Sequence, residues 1–221
     1  MHSHGQLYGV AVMEDFVGFT EKKLTAGSMH VVEKDNGREM TTEGIQHYRK
    51  PIYDITAYYK GNQPLYLVQP LNDTFFLIAD DYRREIYQAD ENLKNIRALK
   101  FPQDDRPIGL TYDFPNGRVY WADFNSHYIK SMFLNGSDVK ILIKEGKKSR
   151  TEGIAFDSAS QILYYTDSGR DIIGMTNPSG RSRKVLVRGI KSPRAIVLDP
   201  QHGFVFHLYA TANITFWPTL Q

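Results

Sequence analysis

A repeat with a period near 43 residues constrains the fold of this chain more than any other feature of its sequence. Three segments open at Pro107, Thr151 and Pro193, at spacings of 44 and 42 residues. Each begins with a short apolar run, passes through a turn and enters a second apolar run. Periods of about 40 to 45 residues are typical of β-propellers, in which every repeat forms one four-stranded blade. The repeat therefore predicts an all-β fold built from such blades.

The unit that opens at Pro107 can be divided into four predicted strands. Asn116-Gly117 and Asn135-Gly136 predict tight turns, because asparagine and glycine accept a positive φ. A four-stranded antiparallel sheet of this kind has two apolar faces, and stacking blades around a channel buries both of them. The predicted strands are 108–112, Arg118–Asp123, Tyr128–Phe133 and 139–143.

Composition narrows the classes of function. The chain has no cysteine, which excludes disulfide frameworks, thiolate zinc sites and cysteine nucleophiles. A net charge of +2, from 27 basic and 25 acidic groups, gives no argument for nucleic acid or an anionic membrane. No run approaches the roughly 20 apolar residues of a membrane span, and the first six residues do not resemble a signal peptide. We therefore expect neither element within this sequence.

Two motifs give the repeat its specificity. Val-Tyr-Trp-Ala-Asp at 119–123 and Leu-Tyr-Tyr-Thr-Asp at 163–167 resemble the YWTD repeats of the low-density lipoprotein receptor and its related proteins. Glu-Gly-Ile-Ala-Phe-Asp at 152–157 and the segment 192–200 are similar to the same family. The resemblance extends to about His207 and is closest to receptors with several tandem propellers, including those that handle Wnt signals. It implies YWTD-type β-propeller blades, six to a propeller in the family and incomplete here.

The resemblance also implies a division of the chain. Residues 1–64 are similar to the closing blades of one propeller, and residues 75–221 to the opening blades of a second, with an atypical tail at 210–221. Residues 65–74 stand where the family has a six-cysteine module similar to epidermal growth factor. We therefore expect a truncated or fragmentary receptor sequence. The alternative is that the five or so units form a single atypical propeller.

The aromatic, hydroxyl and acidic positions of the repeats are expected to be structural. The family resemblance implies that the final acid ties neighbouring blades together by hydrogen bonds, and a buried carboxylate needs such partners. The functional alternative is a ring of acids that binds a ligand or a cation. The structural positions are Phe19, Thr20, Glu21, Tyr120, Trp121, Asp123, Tyr164, Tyr165, Thr166 and Asp167.

Glu152 is the one candidate for a metal ligand in the predicted channel. Enzymes on six-bladed propellers, such as gluconolactonases and paraoxonases, hold calcium at such positions, and calcium needs several converging oxygen atoms. The equivalent positions in the other units are Tyr8, Ile108 and Arg194, which supply none. No nucleophile-elbow motif is present either. The sequence therefore predicts no metal site, no cofactor and no catalytic residue.

Two kinds of surface site are also predicted. Basic side chains are concentrated at 144–150 and 181–194, where they either keep edges solvated or form a patch for acidic partners or sulfated glycans. The candidate patch comprises Lys147, Lys148, Arg181, Arg183 and Lys184. Glycosylation sequons begin at Asn72, Asn135 and Asn213. Asn135 lies at a predicted hairpin tip.

Together these features predict a non-catalytic, ligand-binding propeller region of a lipoprotein-receptor-related cell-surface receptor, of the endocytic or Wnt co-receptor type. The resemblance implies secreted protein ligands or lipoproteins as partners, and the extracellular side of the plasma membrane as the location. No nucleic acid partner is expected. The alternatives are a calcium-dependent hydrolase or lactonase on a six-bladed propeller, and a truncated product without function.

Overall fold

The computed structural model describes the backbone of residues 6–12, 16–22, 27–33, 39–41, 54–59, 74–90, 95–144, 146–199, 204–209 and 214–218. Side chains are described at 75–90, 95–144 and 146–198. Within this part of the chain all regular structure is β, and no helix is present that could cross a membrane. The strands are β1 (Gln6–Val12), β2 (Phe16–Lys22), β3 (Gly27–Glu33), β4 (Glu39–Thr41), β5 (Asp54–Tyr59), β6 (Thr74–Asp80), β7 (Glu85–Asp90), β8 (Ile96–Ala98), β9 (Pro107–Asp113), β10 (Arg118–Asp123), β11 (Tyr128–Phe133), β12 (Lys140–Lys144), β13 (Thr151–Asp157), β14 (Ile162–Asp167), β15 (Ile172–Thr176), β16 (Arg183–Arg188), β17 (Pro193–Asp199), β18 (Phe204–Tyr209) and β19 (Ile214–Pro218).

These strands form five antiparallel meanders. Sheet A contains β1–β4, sheet B β5–β8, sheet C β9–β12, sheet D β13–β16 and sheet E β17–β19. Each strand pairs with its neighbours in sequence, so each sheet is one repeat of the chain. The prediction of four-stranded antiparallel blades is confirmed.

The first strands of the sheets contact one another in a closed order. β1 contacts β5, β5 contacts β9, β9 contacts β13, β13 contacts β17, and β17 returns to β1. Five sheets therefore surround a common axis, as in a propeller.

Strand boundaries in sheet C follow the sequence pattern closely. β10 and β11 begin and end at the predicted residues, while β9 is one residue longer at each end and β12 is shifted by one residue. The turn between β9 and β10 is closed by the Gly117 amide, which donates to the Phe114 carbonyl at 3.0 Å. Gly117 has φ 63°, which is the conformation that glycine adopts without a steric penalty.

Strand pairing departs from the sequence analysis in two places. β5 and β6 pair along their whole length across residues 65–74, so strands on both sides of the predicted linker belong to one sheet. β6 is therefore the second strand of sheet B. The assignment of 1–64 and 75–221 to two successive propellers stays a prediction. The tail 210–221, expected to follow no blade pattern, contributes β19 as the third strand of sheet E.

Apolar side chains fill the spaces between the successive sheets B, C, D and E. Phe75 and Leu77 of sheet B pack with Leu110 and Trp121 of sheet C in one buried cluster. A second cluster joins sheets C and D, and in it the Tyr120 ring stacks on Phe156 with centroids 5.1 Å apart. Burying a large apolar side chain stabilises a fold by about 1.5–3 kcal/mol. The sheets are therefore held to one another face to face.

Two glycines set how closely the first strands approach. A Cβ atom on Gly109 would lie 2.3 Å from the Glu152 carbonyl oxygen, and one on Gly153 would lie 2.4 Å from that of Arg194. Side-chain hydrogen bonds cross the same gaps. The Phe156 amide donates to Thr111 Oγ1 at 3.2 Å, and Thr166 Oγ1 donates to the Arg194 carbonyl. The first strands thus meet backbone to backbone around the axis.

Candidate functional site

A cavity of about 290 Å³ opens at the end of the ring where β9, β13 and β17 begin. Because these first strands converge on the axis, the residues before and within their first turns face one another there. The cavity is lined by Asp81, Arg106, Ile108, Phe124, His127, Arg150, Thr151, Glu152, Arg194 and Ala195.

An arginine stacked on an exposed aromatic ring forms one wall. Phe124 follows β10 directly and is 45% exposed. The Arg106 guanidinium lies over its ring, 4.6 Å from the centroid, and His127 meets the ring edge-on. Arg106 is held in place by the buried Asp81, to which its Nη2 and Nε donate at 2.5 and 3.0 Å. This wall presents a fixed cation and an apolar face side by side.

The opposite wall carries an ion pair. The Glu152 carboxylate accepts hydrogen bonds from Arg194 Nη1 on the next sheet and from Ser168 Oγ on its own. Both oxygens of the candidate metal ligand are thus engaged by protein donors, one of them a cation. Among the described residues no group of three or more histidine, aspartate or glutamate side chains could hold a metal ion. The geometry of Glu152 is that of a link between sheets D and E.

Thr151 and Arg150 line the cavity, and the side-chain donors of both are unpaired within the described part of the chain. Thr151 is 3% exposed, and its Oγ1 makes no hydrogen bond within the described part of the chain. A buried hydroxyl without a partner costs free energy unless a bound group satisfies it. The exposed Arg150 side chain makes no ion pair with any described residue. A ligand atom at this wall would meet the Arg150 guanidinium, whereas the Thr151 hydroxyl lies beneath the surface.

The acids that end the YWTD strands point away from the cavity into buried hydrogen-bond networks. Asp123 accepts from the Arg106 amide at 2.8 Å, from Ser126 Oγ and from Lys130 Nζ at 3.0 Å. Asp167 accepts from the Arg150 amide at 2.9 Å, from Ser149 Oγ at 2.6 Å and from Arg170 Nε at 2.6 Å. Each acid therefore fixes the connection that enters its own sheet.

These networks shift the pKa values of the carboxyl groups. Burial alone would raise the pKa of Asp123, but the hydrogen bonds from Ser126, the Arg106 amide and Lys130 outweigh it and hold the pKa below its ordinary value. The pKa of Asp167 is likewise lowered, because the donors at 149, 150 and 170 outweigh burial. Both side chains are therefore stable as carboxylates at neutral pH.

Asp105 and Lys130 add a second acid to the network of sheet C. Lys130 Nζ donates to Asp105 at 2.5 Å, and Trp121 Nε1 donates to the same carboxylate at 3.0 Å. Burial is the largest influence on Asp105, and it raises the pKa of that carboxyl despite the lysine. The two carboxylates in turn raise the pKa of Lys130 over the opposing effect of burial. One ammonium group thus serves two buried acids.

The aromatic YWTD positions are core residues in the structure. Tyr120, Trp121, Tyr164 and Tyr165 are buried and belong to the clusters between sheets. Burial, followed by the charge of Asp113, raises the pKa of Tyr120, so its hydroxyl stays protonated. Thr166 links sheet D to sheet E, as described above. The side chains of Phe19, Thr20 and Glu21, on β2, lie outside the residues whose side chains are described.

The structure separates the predicted basic patch. Lys147 and Lys148 lie in the loop that enters β13, at the cavity end of sheet D. Arg183 and Lys184 begin β16, and Arg181 lies in the turn before it, at the opposite end of the sheet. The two ends are about 16 Å apart, the length of a five-residue strand. These residues therefore do not form one continuous patch, because the length of a strand of sheet D separates the two groups.

Of the three sequons, Asn135 lies within the described residues, whereas Asn72 and Asn213 lie outside them. Asn135 is exposed in the turn between β11 and β12. Its Oδ1 accepts hydrogen bonds from the Ser137 amide at 2.9 Å and from Ser137 Oγ at 2.6 Å. The site is sterically open, and its glycosylation stays a prediction.

Sequence reasoning missed the cavity side chains of Arg106, Phe124 and Thr151 as a group. They lie in two different connections and at the start of β13, and they meet only when the first strands converge. One signal was present, because Arg106 and Arg150 precede the first strands of two units at a spacing of 44 residues. A basic residue repeated at that position marks the mouth of the ring.

Comparison with protein families identifies the repeats. Residues 117–155, which run from the end of the first turn of sheet C to the first strand of sheet D, match the model of the low-density lipoprotein receptor repeat class B. A stretch of 100 residues is 39% identical to the low-density lipoprotein receptor-related protein 5 of Mus musculus. The match covers 44% of this chain and 6% of that relative's length.

Solved structures share the same architecture. A chain in the crystal structure of a nidogen/laminin complex superposes with a TM-score of 0.76 at 20% identity, over 96% of this chain and 75% of that one. The streptogramin B lyase structure superposes with a TM-score of 0.63 at 16% identity, over 99% and 70%. The fold is a YWTD-type β-propeller. Residues 117–155 match one low-density lipoprotein receptor class B repeat, and 44% of the chain is similar to a small part of a receptor-related protein.

Proposed function

We propose that this chain is a non-catalytic, ligand-binding propeller region that binds a secreted protein at the cavity end of the ring. The observation that carries the proposal is the cavity wall formed by Phe124 and Arg106, an exposed ring under a guanidinium. Aromatic and arginine side chains dominate the energetics of protein interfaces. Loops on a rigid scaffold are the usual place for such contacts.

We further propose that the region works on the extracellular side of the plasma membrane, within a longer receptor of the endocytic or Wnt co-receptor type. The receptor class B repeats and the 39% identity to a receptor-related protein support this reading. The hydrolase alternative has less support, because Glu152 is paired with Arg194 and no described cluster of acids and histidines could hold a metal.

Binding to two immobilised probes tests the proposal: a purified Wnt protein and low-density lipoprotein particles. The unaltered chain should bind one of them, and Phe124→Ala should weaken that binding at least about tenfold, because truncating a central aromatic contact costs about 2 kcal/mol. Ile141→Ala serves as the matched control. Ile141 is 56% exposed but lies on β12, the outermost strand of the same sheet.

Equal binding by Phe124→Ala and the unaltered chain would show that the cavity is not part of the ligand interface. Failure of both probes to bind the unaltered chain would contradict the ligand class. A chelator should leave both binding and thermal unfolding unchanged, whereas a lowered melting temperature would favour the calcium-dependent enzyme.

A further inference from the structure

Five exposed cations lie together at the cavity end of sheet D. The cationic rim, as we name it, consists of Lys147, Lys148, Arg150, Arg188 and Lys191. Their side chains make no ion pair or hydrogen bond with any described residue. Unpaired cations on one surface create a positive potential that attracts anionic partners.

The backbone that carries the rim is fixed by hydrogen bonds between three segments. The turn after β14 packs on the loop before β13, where the Ser168 amide donates to the Arg150 carbonyl at 3.0 Å. The same turn meets the loop after β16, where the Gly189 amide donates to the Asp171 carbonyl at 2.9 Å. The rim thus runs across the whole width of the sheet on a rigid frame, and only its side chains need ordering on binding.

Acidic groups at this end of sheet D are already engaged by the protein. Asp167 is buried among its donors, and Glu152 is paired with Arg194. The Asp171 side chain accepts from the Ser192 amide at 3.0 Å. The loop 144–150 also contains Glu145, which lies outside the described residues. Cations therefore outnumber uncommitted acids along the rim.

The rim contains no apolar anchor. The large hydrophobic side chains exposed among the described residues are Tyr82, Ile96, Phe124, Val139 and Ile141, and none lies in the three rim segments. A protein interface of ordinary affinity needs a buried apolar or aromatic centre. A surface of cations alone suits a flexible polyanion, whose binding depends on charge and weakens with salt.

We propose that the cationic rim binds a sulfated glycosaminoglycan chain. The site adjoins the cavity through Arg150 but does not depend on it, so a glycan and a protein ligand could occupy neighbouring surfaces. The inference goes beyond the proposed protein-binding function and can fail or hold separately from it.

Heparin binding by the full chain tests the rim, with a defined heparin fragment as the probe. The rim variant combines Lys147→Ala, Lys148→Ala and Lys191→Ala. The matched control combines Arg181→Ala, Arg183→Ala and Lys184→Ala, which removes the same charge from the opposite end of the same sheet. Thermal unfolding of both variants shows whether each is folded; exposed substitutions should shift it little.

The rim variant should bind heparin about tenfold more weakly, since three exposed ion pairs contribute about 0.5 kcal/mol each. The control should change by less than about twofold, and Phe124→Ala should bind heparin like the unaltered chain. Equal losses in the two triple variants would show that net charge alone is responsible and overturn the proposal. Equal affinity for a single-stranded DNA of matched charge would overturn the assignment to a glycan.

Discussion

Sheets C and D follow the same plan but solve one packing problem differently. In sheet C, the third strand places Lys130 opposite Trp121, and its ammonium reaches Asp105 and Asp123. In sheet D, the equivalent pair is Gly174 opposite Tyr165, and the tyrosine ring occupies the space that a side chain at 174 would need. The third strand therefore carries a buried charged side chain at this position in sheet C and no side chain in sheet D. A shared backbone register therefore does not dictate the chemistry of the blade.

The acid of sheet D should matter more for stability than the acid of sheet C. Asp167→Ala leaves Ser149 Oγ and three backbone amides without their acceptor, and should lower the free energy of unfolding by about 3–5 kcal/mol. Asp123→Ala also leaves three backbone amides and Ser126 Oγ without their acceptor, but it should cost less, about 2–3 kcal/mol, because Lys130 keeps Asp105 as a partner and Asp105 loses a repelling charge. Urea unfolding measures both. A larger loss for Asp123→Ala would reverse this ranking.

The emptied position in sheet D should not tolerate a methyl group. A Cβ atom at Gly174 would lie 2.3 Å from Tyr165 Cζ, so Gly174→Ala should cost about 1–3 kcal/mol of stability through overpacking. Adding Tyr165→Leu should recover part of that loss. Gly146→Ala is the control, because no atom lies within 4 Å of its Cβ position. A neutral Gly174→Ala would mean that the ring can move aside.

The dependence of stability on acid pH should also differ between the two sheets, by a smaller amount. The pKa of Asp123 and that of Asp167 are lowered, so below about pH 3.9 the unfolded chain binds more protons than the folded one, and stability falls as pH drops. The pKa of Asp105 is raised, so its protonation favours the folded state as pH falls through that pKa and offsets part of the loss. Asp105→Asn should therefore steepen acid unfolding. An unchanged profile in a pH series of melting temperatures would contradict this.

The turns between the third and fourth strands of sheets C and D should differ least in their effect on stability, but they differ in whether they can be glycosylated. In both turns an asparagine Oδ1 accepts from the hydroxyl of the serine two residues later, at 2.6 Å for Asn135 and 2.9 Å for Asn177. Asn177 is followed by Pro178, which blocks glycosylation. Secreted from mammalian cells behind a signal peptide, the chain should carry a glycan at Asn135, seen as a mass shift that a glycosidase removes.

The glycan assignment has built-in controls. Ser137→Ala should reduce the mass shift by one glycan and Ser137→Thr should preserve it, while Pro178→Ala should add one glycan at Asn177. Stability should change by less than about 0.5 kcal/mol in each case, because these positions are on the surface. An Asn135→Gln chain with the same mass shift as the unaltered chain would show that the glycans lie at Asn72 or Asn213 and not at Asn135.

The sequence predicted what depends on short-range patterns. The bounds of β10 and β11 followed from alternating apolar residues and asparagine-glycine turns. It did not predict that β5 pairs with β6, because a pairing across residues 65–74 leaves no local signal. The cavity was missed for the same reason: Phe124 and Thr151 come together through the packing of sheet C against sheet D. The sequence grouped Lys147 and Lys148 with Arg181, Arg183 and Lys184, but it did not show that β16 begins at the end of sheet D opposite to the start of β13.

The close approach of Gly109 to Glu152 and of Gly153 to Arg194 has a consequence for how the ring opens. Each first strand is bonded within its own sheet and pressed against the next, so a sheet cannot detach without exposing the inner edge of its neighbour. The smallest unit that can unfold cooperatively is then a pair of adjacent sheets, as in other nearest-neighbour repeat arrays. Amide hydrogen exchange along β9 and β13 should therefore occur in one cooperative opening, at a rate set by the separation of Gly109 from Glu152.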